Sequence, residues 1–466
     1  MIKLNHVSFS YQNGEANEMQ VLSDVSFQVS RGECVVLCGK SGCGKTTMLR
    51  LVNGLIPHFY AGKLEGNVLV GGQEMQQTPL SQTSRIVGSV FQNPRTQFFH
   101  LDTTGEMAFN LENQNVPRPQ MKKRLEEVSY RLNLQELMDR NIFELSSGEK
   151  QQIACGSVYA ALPSVIVMDE PSSNLDMESI RKLQKLIRMM KDEGRTVLIS
   201  EHRLWYLEGI ADRYVLLEDG RIRQEFTPEA AADLSLEKRK ALGLRAVKRE
   251  QLYELRPDMG LIKQKSTGLE IDGLQFSRQM RQVLNVPHLE IPSGAIVAVI
   301  GENGAGKSTF SLCLAGLLKH TGTVRIDGKK IAHKKLPEQV YLVMQEAGHQ
   351  LFSDTVLGEL TLNNPALSEE KGKEVLTTLG LNGMENRHPG SLSGGQQQRL
   401  SLGTALCMKR KLMLYDEPTS GQDGENLLRT AELIRAANKQ AASTLIVTHD
   451  PELILRCATH ILHIHA

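Results

Sequence analysis

Gly39-Lys40-Ser41-Gly42-Cys43-Gly44-Lys45-Thr46 and Gly301-Glu302-Asn303-Gly304-Ala305-Gly306-Lys307-Ser308 are two copies of one pattern, G-x-x-x-x-G-K-[ST], set 262 residues apart. Each follows a short apolar run, residues 34–38 or 296–300, that reads as a buried strand, and each opens a helix-compatible stretch. That context is what the pattern needs to act. Glycines let backbone N–H groups come close to phosphate, and the N-terminus of the following helix adds a favourable dipole. Lys45 and Lys307 are then expected on the β/γ-phosphates of a nucleotide, with Thr46 and Ser308 as Mg²⁺ ligands. The next residues, Thr47 and Thr309, complete the nucleotide-binding set.

Outward from these loops the chain continues to repeat itself. Further on the offset settles at 247: Ser146 pairs with Ser393, Asp169 with Asp416, Asp176 with Asp423, and His202 with His449. A constant spacing over matched positions is the mark of one ancestral domain, duplicated. The drift from 262 to 247 places extra residues in the front of the first half, around 13–19 and 56–62. Residues 224–268 are charged with mixed signs, mostly helix-compatible, and hold one proline, Pro257, so they read as a connector with room for a short helix and not as a third domain. The expected division is 1–223, a first domain; 224–268, the connector; and 269–466, a second domain. The end of the second half, 461–466, matches the strand expected at 214–217, so no appended regulatory domain is expected. Apolar runs at 165–168, 197–200, 412–415 and 445–448 alternate with helix-like stretches such as 179–191 and 425–439. That alternation implies an α/β fold with a mostly parallel sheet covered on both faces.

The composition bounds the partners. Over 466 residues the formal net charge is +1, so no global field draws the chain to nucleic acid or anionic lipid. The seven cysteines form no C-x-x-C pair and fall mostly in apolar or loop segments, which reads as buried, reduced thiols. The start, MIKLNHVSFSY, lacks the features of a signal peptide, and no apolar stretch approaches the ~20 residues a membrane helix needs. Any membrane role is expected to come through a partner.

Asp169-Glu170 and Asp416-Glu417 each end a predicted buried strand and precede a proline. An acidic group at a strand tip suits Mg²⁺, and the following glutamate can polarise an attacking water. Downstream of each loop, Leu145-Ser-Ser-Gly-Glu149 and Leu392-Ser-Gly-Gly-Gln396 resemble the signature of ATP-binding-cassette (ABC) ATPases. The resemblance covers essentially both halves. It implies two tandem ABC-type P-loop NTPase domains, each a parallel-sheet RecA-like core with a helical signature subdomain and an antiparallel β subdomain. It also implies that ATP is clamped between the phosphate loop of one half and the signature of the other, the halves pairing within one chain. Lys45 would share a site with Ser393 and Gly395, and Lys307 with Ser146 and Gly148. By the same resemblance Gln92 and Gln345 are the Q-loop glutamines touching Mg²⁺ and water. His202 and His449 are the switch histidines, and Glu170 and Glu417 the catalytic glutamates. Asp169 and Asp416 serve Mg²⁺, Asp176 and Asp423 close the D-loops, and Tyr11 stacks on adenine.

Three departures stand out. Aligning Gln20-Val21-Leu22 with Gln282-Val283-Leu284 sets Arg278 opposite Tyr11, where a guanidinium plane would have to do the stacking. Ser147 replaces a signature glycine, and Gln422 stands where the D-loop usually has leucine. None removes a catalytic group, so both sites are expected to hydrolyse ATP.

The surroundings of Gln92 bear on the biological task. Phe91-Gln-Asn-Pro-Arg-Thr-Gln-Phe-Phe99 resembles the F-Q-N-P-x-x-Q-[LF]-F pattern of energy-coupling-factor (ECF) importers, and Gln350-Leu-Phe352 repeats its tail. Gly54-Leu-Ile-Pro-His-Phe-Tyr60 is similar to fused ATPases of that group. The resemblance implies an ATPase subunit of an importer for a vitamin, vitamin precursor or transition-metal ion. Its partners would be a transmembrane coupling subunit and a solute-binding membrane subunit, its place the cytoplasmic face of the cell membrane, and nucleic acid no partner. A fused sugar-importer ATPase and a soluble tandem-cassette factor of translation or nucleic acid remain as alternatives. The short, mixed-charge connector differs from the long basic insert such factors carry.

Overall fold

The computed structural model describes residues 1–13, 17–254, 267–278, 281–362, 364, 367–439 and 441–465. Two compact units divide the chain, Met1–Gln251 and Leu252–Ala466. In the first, Cys34–Gly39 runs parallel between Thr196–Ser200 and Arg213–Glu218, with Val165–Asp169 and Val87–Val90 continuing the parallel set. These strands are apolar without interruption because both faces are covered, and Val35, Val36, Leu37, Val197 and Leu198 are wholly buried. A separate antiparallel sheet is built on the hairpin Ile2–Asn13 and Asn17–Val29, with Gly62–Val70 on the other side of Ile2–Asn13. The second unit repeats the plan. Its parallel sheet runs Val340–Val343, Leu412–Asp416, Ser443–Val447, Ile296–Ile300, His460–His463, beside an antiparallel sheet led by Thr267–Arg278 and Arg281–Pro292.

Helices fill in between. Met177–Asp192 buries Ile180, Leu183, Leu186, Ile187 and Met190 along one stripe, and Asp176 starts it by accepting from Ser179 N–H. Asp423 caps Gly424–Asn438 through Asn426 N–H in the same way. No helix among the described residues is long and apolar enough to cross a membrane. The cysteines are buried. Burial pushes the thiols of Cys34, Cys38, Cys155 and Cys457 up to about 12, far from reactivity at neutral pH.

Strand register settles the alignment of the two hairpins. Phe9 pairs with Leu22 and Tyr11 with Met19; Phe276 pairs with Leu284 and Arg278 with Arg281. Met19 and Arg281 share the 262 offset, so Arg278 occupies the place of Tyr11. The additional residues of the first half lie at the hairpin tip, around the short helix Leu55–His58, and between Glu106 and Ser146, where the helices Thr103–Asn113 and Arg118–Arg131 are longer than their counterparts Val356–Thr361 and Glu369–Thr378.

The connector holds short helices, as its composition allowed, and its residues up to Gln251 belong to the first unit. Arg221–Phe226 adds an antiparallel strand to Arg213–Glu218, and Pro228–Ala232 and Leu236–Ala241 follow as helices of the first unit. Phe226, Ala231, Leu244, Ala246, Val247 and Leu252 are buried between the charges, and Gln251 holds the segment by accepting from Val247 N–H and donating to Ala232 O. The periodic apolar minority was masked by mixed-sign neighbours. Residues 255–266, including Pro257, lie outside the described residues. The described part of the segment touches the phosphate loop: a Cβ on Gly243, whose φ is +67°, would stand 2.7 Å from Lys40 Cγ. Gly243→Ala should therefore cost on the order of 1–2 kcal/mol of stability, read as a lowered unfolding midpoint in denaturant. An unchanged midpoint would show that the segment is not braced there.

Candidate functional site

In both halves the phosphate loop wraps its own lysine. Lys45 Nζ donates to Gly39 O at 3.0 Å and Lys40 O at 2.9 Å; Lys307 Nζ donates to Gly301 O at 2.8 Å and Glu302 O at 2.7 Å. Gly39 and Gly301 have φ of +136° and +152°, and a Cβ there would come within 2.3 Å of Leu217 O or 2.2 Å of Ile464 O. Only glycine fits. Gly44 and Gly306, also at positive φ, cap the helices Lys45–Val52 and Lys307–Leu314, whose first-turn N–H groups have no acceptor within the helix.

Acidic strand tips meet these helices. Thr46 Oγ1 donates to Asp169 Oδ1 at 3.2 Å, across 123 residues of chain. Ser308 hydrogen-bonds Asp416 likewise. Burial and then the neighbouring Glu170 hold the Asp169 carboxyl above its usual range, opposed by Thr46 and Ser200; burial raises Asp416 too, opposed by Ser308 and Lys307. A hydroxyl beside a poorly solvated carboxylate is a hard, oxygen-only donor set, which fits Mg²⁺ shared with phosphate oxygens. Thr46 with Asp169, and Ser308 with Asp416, would hold such an ion, which would supply positive charge to offset that of the phosphates.

The glutamates follow directly. Glu170 and Glu417 adopt φ of +43° and +45°, a region side chains seldom occupy. Hydrogen bonds from Glu170 N to Ser200 O (2.8 Å) and Glu417 N to Val447 O (2.9 Å) hold that strain. In the first half Gln92 Nε2 donates to Glu170 Oε2 at 2.8 Å, and His202 Nε2 lies 3.3 Å from Oε1. In the second, His449 Nε2 lies 3.8 Å from Glu417 Oε1, and Thr448 Oγ1 donates to Oε2 at 3.4 Å. Gln345 lies two residues beyond the strand Val340–Val343, as Gln92 lies two beyond Val87–Val90, at the 253 offset. Tyr11 sits against the loop's helix, its hydroxyl 3.3 Å from Thr47 Oγ1 and accepting from Arg50 Nη1 at 2.9 Å. Arg278 is exposed.

The signature serines lie elsewhere in each unit. Ser146 and Ser393 begin the helices Ser147–Ala160 and Gly394–Cys407 with reciprocal capping boxes, paired with Glu149 and Gln396. The motif's S-x-x-[EQ] is itself a helix-start signal. Gly148 is buried and Gly395 exposed.

Several side chains of consequence escaped the sequence reading. Glu106 Oε2 accepts from Phe99 N and His100 N (2.8 and 3.0 Å), and Glu359 Oε2 from Phe352 N and Ser353 N (both 2.8 Å). Gln97 and Gln350, which the sequence offered only as parts of a pattern, brace the same loops by accepting from Phe91 N and Met344 N. The shared offset of 253 between Glu106 and Glu359 was the available signal. Glu201, buried beside His202, accepts from Ser172 N, His202 N and Tyr206 Oη; burial above all raises its carboxyl.

Phosphate loops of this form, each served by its own acidic strand tip, define a nucleotide-hydrolysing cassette, here present twice. The family model described as ABC transporter matches residues 22–173 and 284–420, and the chain belongs to that family. It is a tandem ABC ATP-binding protein and an ATPase. An ABC transporter ATP-binding protein, so named, of Treponema denticola (strain ATCC 35405) is 41% identical, over 99% of this chain and 95% of its own length. A Bacillus subtilis (strain 168) protein whose name assigns it to HMP/thiamine import, YkoD, is 31% identical over 100% of this chain and 90% of its own. Among solved structures, an RNase-L Inhibitor aligns with a TM-score of 0.66 at 22% identity, covering 98% of this chain and 87% of its own; at that identity the likeness is one of fold.

Proposed function

We propose that this chain is the ATPase subunit of an ECF-type importer for a vitamin, vitamin precursor or transition-metal ion. It acts at the cytoplasmic face of the membrane through a transmembrane coupling subunit and a solute-binding membrane subunit. The observation that carries the reading is a pair of phenylalanines offered to solvent from braced loops. Phe99 is 75% and Phe352 78% exposed, each held by a buried glutamate (Glu106, Glu359) through two backbone N–H groups. Side chains that merely filled the core would be covered. Leu101 and Phe143, whose chain segments meet where Ile142 N–H donates to Leu101 O, are further uncovered apolar side chains at 70% and 74% exposure. Apolar groups fixed in place and left uncovered suit a helix docked from a partner. The thiamine-import name of the YkoD relative lends further support.

Two composite sites do the work in this reading, Lys45 with Ser393 and Gly395, and Lys307 with Ser146 and Gly148. The loop residues 39–47 and 301–309 hold the phosphates, Thr46 and Asp169, with Gln92, serve one Mg²⁺, and Ser308 and Asp416, with Gln345, the other. Glu170 and Glu417 accept the proton of the attacking water, while His202 and His449 steady the glutamate and the γ-phosphate. Tyr11 stacks on adenine in the first half, and Arg278 offers a guanidinium plane in the second.

Salt-washed membranes from cells expressing the membrane subunits should retain the chain, and Phe99→Ser with Phe352→Ser should release it while ATPase activity stays within about twofold, since neither residue touches the loop. Recovery in the ribosomal fraction with none on membranes would overturn the importer reading in favour of a soluble tandem-cassette factor.

A further inference from the structure

Each half ties its signature helix to the loop that follows its glutamate, and the two halves use different residues to do so. In the second half Arg399, on the helix Gly394–Cys407, donates from Nε to Leu379 O at 2.9 Å and from Nη1 to Asn426 Oδ1 at 2.8 Å. Asn426 passes the link on: its backbone N–H donates to Asp423 Oδ1 at 2.8 Å and its amide to Asp423 Oδ2 at 3.1 Å. Asp423 closes the segment that begins at Glu417. Within that segment Gln422 Nε2 donates to Pro418 O at 2.9 Å, and Thr419 Oγ1 donates to Asp450 Oδ2 at 2.9 Å, beside His449. The path from the signature helix to the residues flanking the glutamate is continuous.

The first half lacks this arginine. Residue 152 is glutamine, and its amide turns back to Gly148 O at 3.4 Å. Leu132 and Ser179, the counterparts of Leu379 and Asn426 at the 247 offset, line a cleft of about 220 Å³ together with Gln152, Gly148 and Cys155. The space that the guanidinium fills in one half is open in the other. What the first half has instead is Ser147, the serine in a glycine's place, whose Oγ donates to Asn174 O at 3.3 Å in the segment between Glu170 and Asp176.

We propose that Arg399 and Ser147 are positioning residues for ATP hydrolysis, each coupling the signature helix of its half to the loop that orients that half's glutamate, firmly in the second half and weakly in the first. A charged fork with two acceptors and a relaying amide is a stiffer connection than a hydrogen bond from a neutral hydroxyl. The assignment rests on the composite-site reading in one respect. There, the signature of a half grips the nucleotide seated on the other half's phosphate loop, so the link carries the occupancy of one site to the glutamate of the other. The second half would then do most of the coupling, and cooperativity in ATP would depend on it.

A double-mutant cycle on the full chain with Mg-ATP tests this. Arg399→Gln installs the first half's residue; it should lower kcat about fivefold and bring the Hill coefficient towards one, with KM within about twofold. Asn426→Ala should do the same, and the double variant should be no worse than either alone. Effects that multiply, an unchanged kcat, or a change in KM alone overturn the proposal. Should Arg399→Gln not fold, the reciprocal variant decides: Gln152→Arg with Ser179→Asn fills the open cleft and should raise the Hill coefficient, and no rise overturns the proposal. Ser393→Arg, measured alongside, reports on the composite site separately. If it is harmless while the cycle still shows coupling, the shared-site reading fails and the link within the half stands.

Discussion

Glu170→Gln and Glu417→Gln should each cut hydrolysis at the affected site by about 10²–10⁴-fold, which corresponds to roughly 3–5 kcal/mol of lost transition-state stabilisation. Glutamine keeps the shape and can still hydrogen-bond Gln92 or His202, whose nitrogens lie 2.8 and 3.3 Å from the Glu170 oxygens. What it cannot do is take a proton from water. Both residues also hold a strained left-handed backbone, secured by Ser200 O and Val447 O, so the substitution alters chemistry and leaves the loop in place. Phosphate release from the single variants should fall only to the share of the intact site, and the double variant should be inactive. Full turnover in Glu417→Gln alongside none in Glu170→Gln would refute hydrolysis at two sites.

Ser146→Arg together with Ser393→Arg should abolish turnover while leaving nucleotide binding on the phosphate loops. Each serine caps a 14-residue helix through a reciprocal box with Glu149 or Gln396. Loss of a cap alone costs about 1 kcal/mol, and the alanine variants measure that cost. Arginine adds bulk and a positive charge at the positive end of a helix, where the composite-site reading puts the γ-phosphate. Losing donors aimed at developing charge is worth about 10²–10³-fold at each site. Turnover in the double arginine variant equal to that of the double alanine variant would remove the signatures from the nucleotide sites.

Much of the site could be read along the chain because its decisive features are local. The phosphate loop is a contiguous turn whose glycines stand at φ no other residue tolerates; the signature is a capping box within four residues; the buried strands announce themselves by unbroken apolar runs. Duplication made these signals legible twice over, and the strand register bore out the placement of Arg278 opposite Tyr11.

By itself, then, the sequence determined that there are two cassettes and where each turns its glycine-rich loop into a helix, because backbone geometry at such motifs depends on neighbours a few residues away. Only the tertiary structure decided what meets across distance. Thr46 meets Asp169, Gln92 meets Glu170, the segment up to Gln251 folds onto the first unit with Gly243 against Lys40, and Arg399 reaches Asn426 where Gln152 leaves a cleft. Those pairings join residues separated by tens to more than a hundred positions, and they exist only once the packed sheets and helices have fixed which side chains face each other.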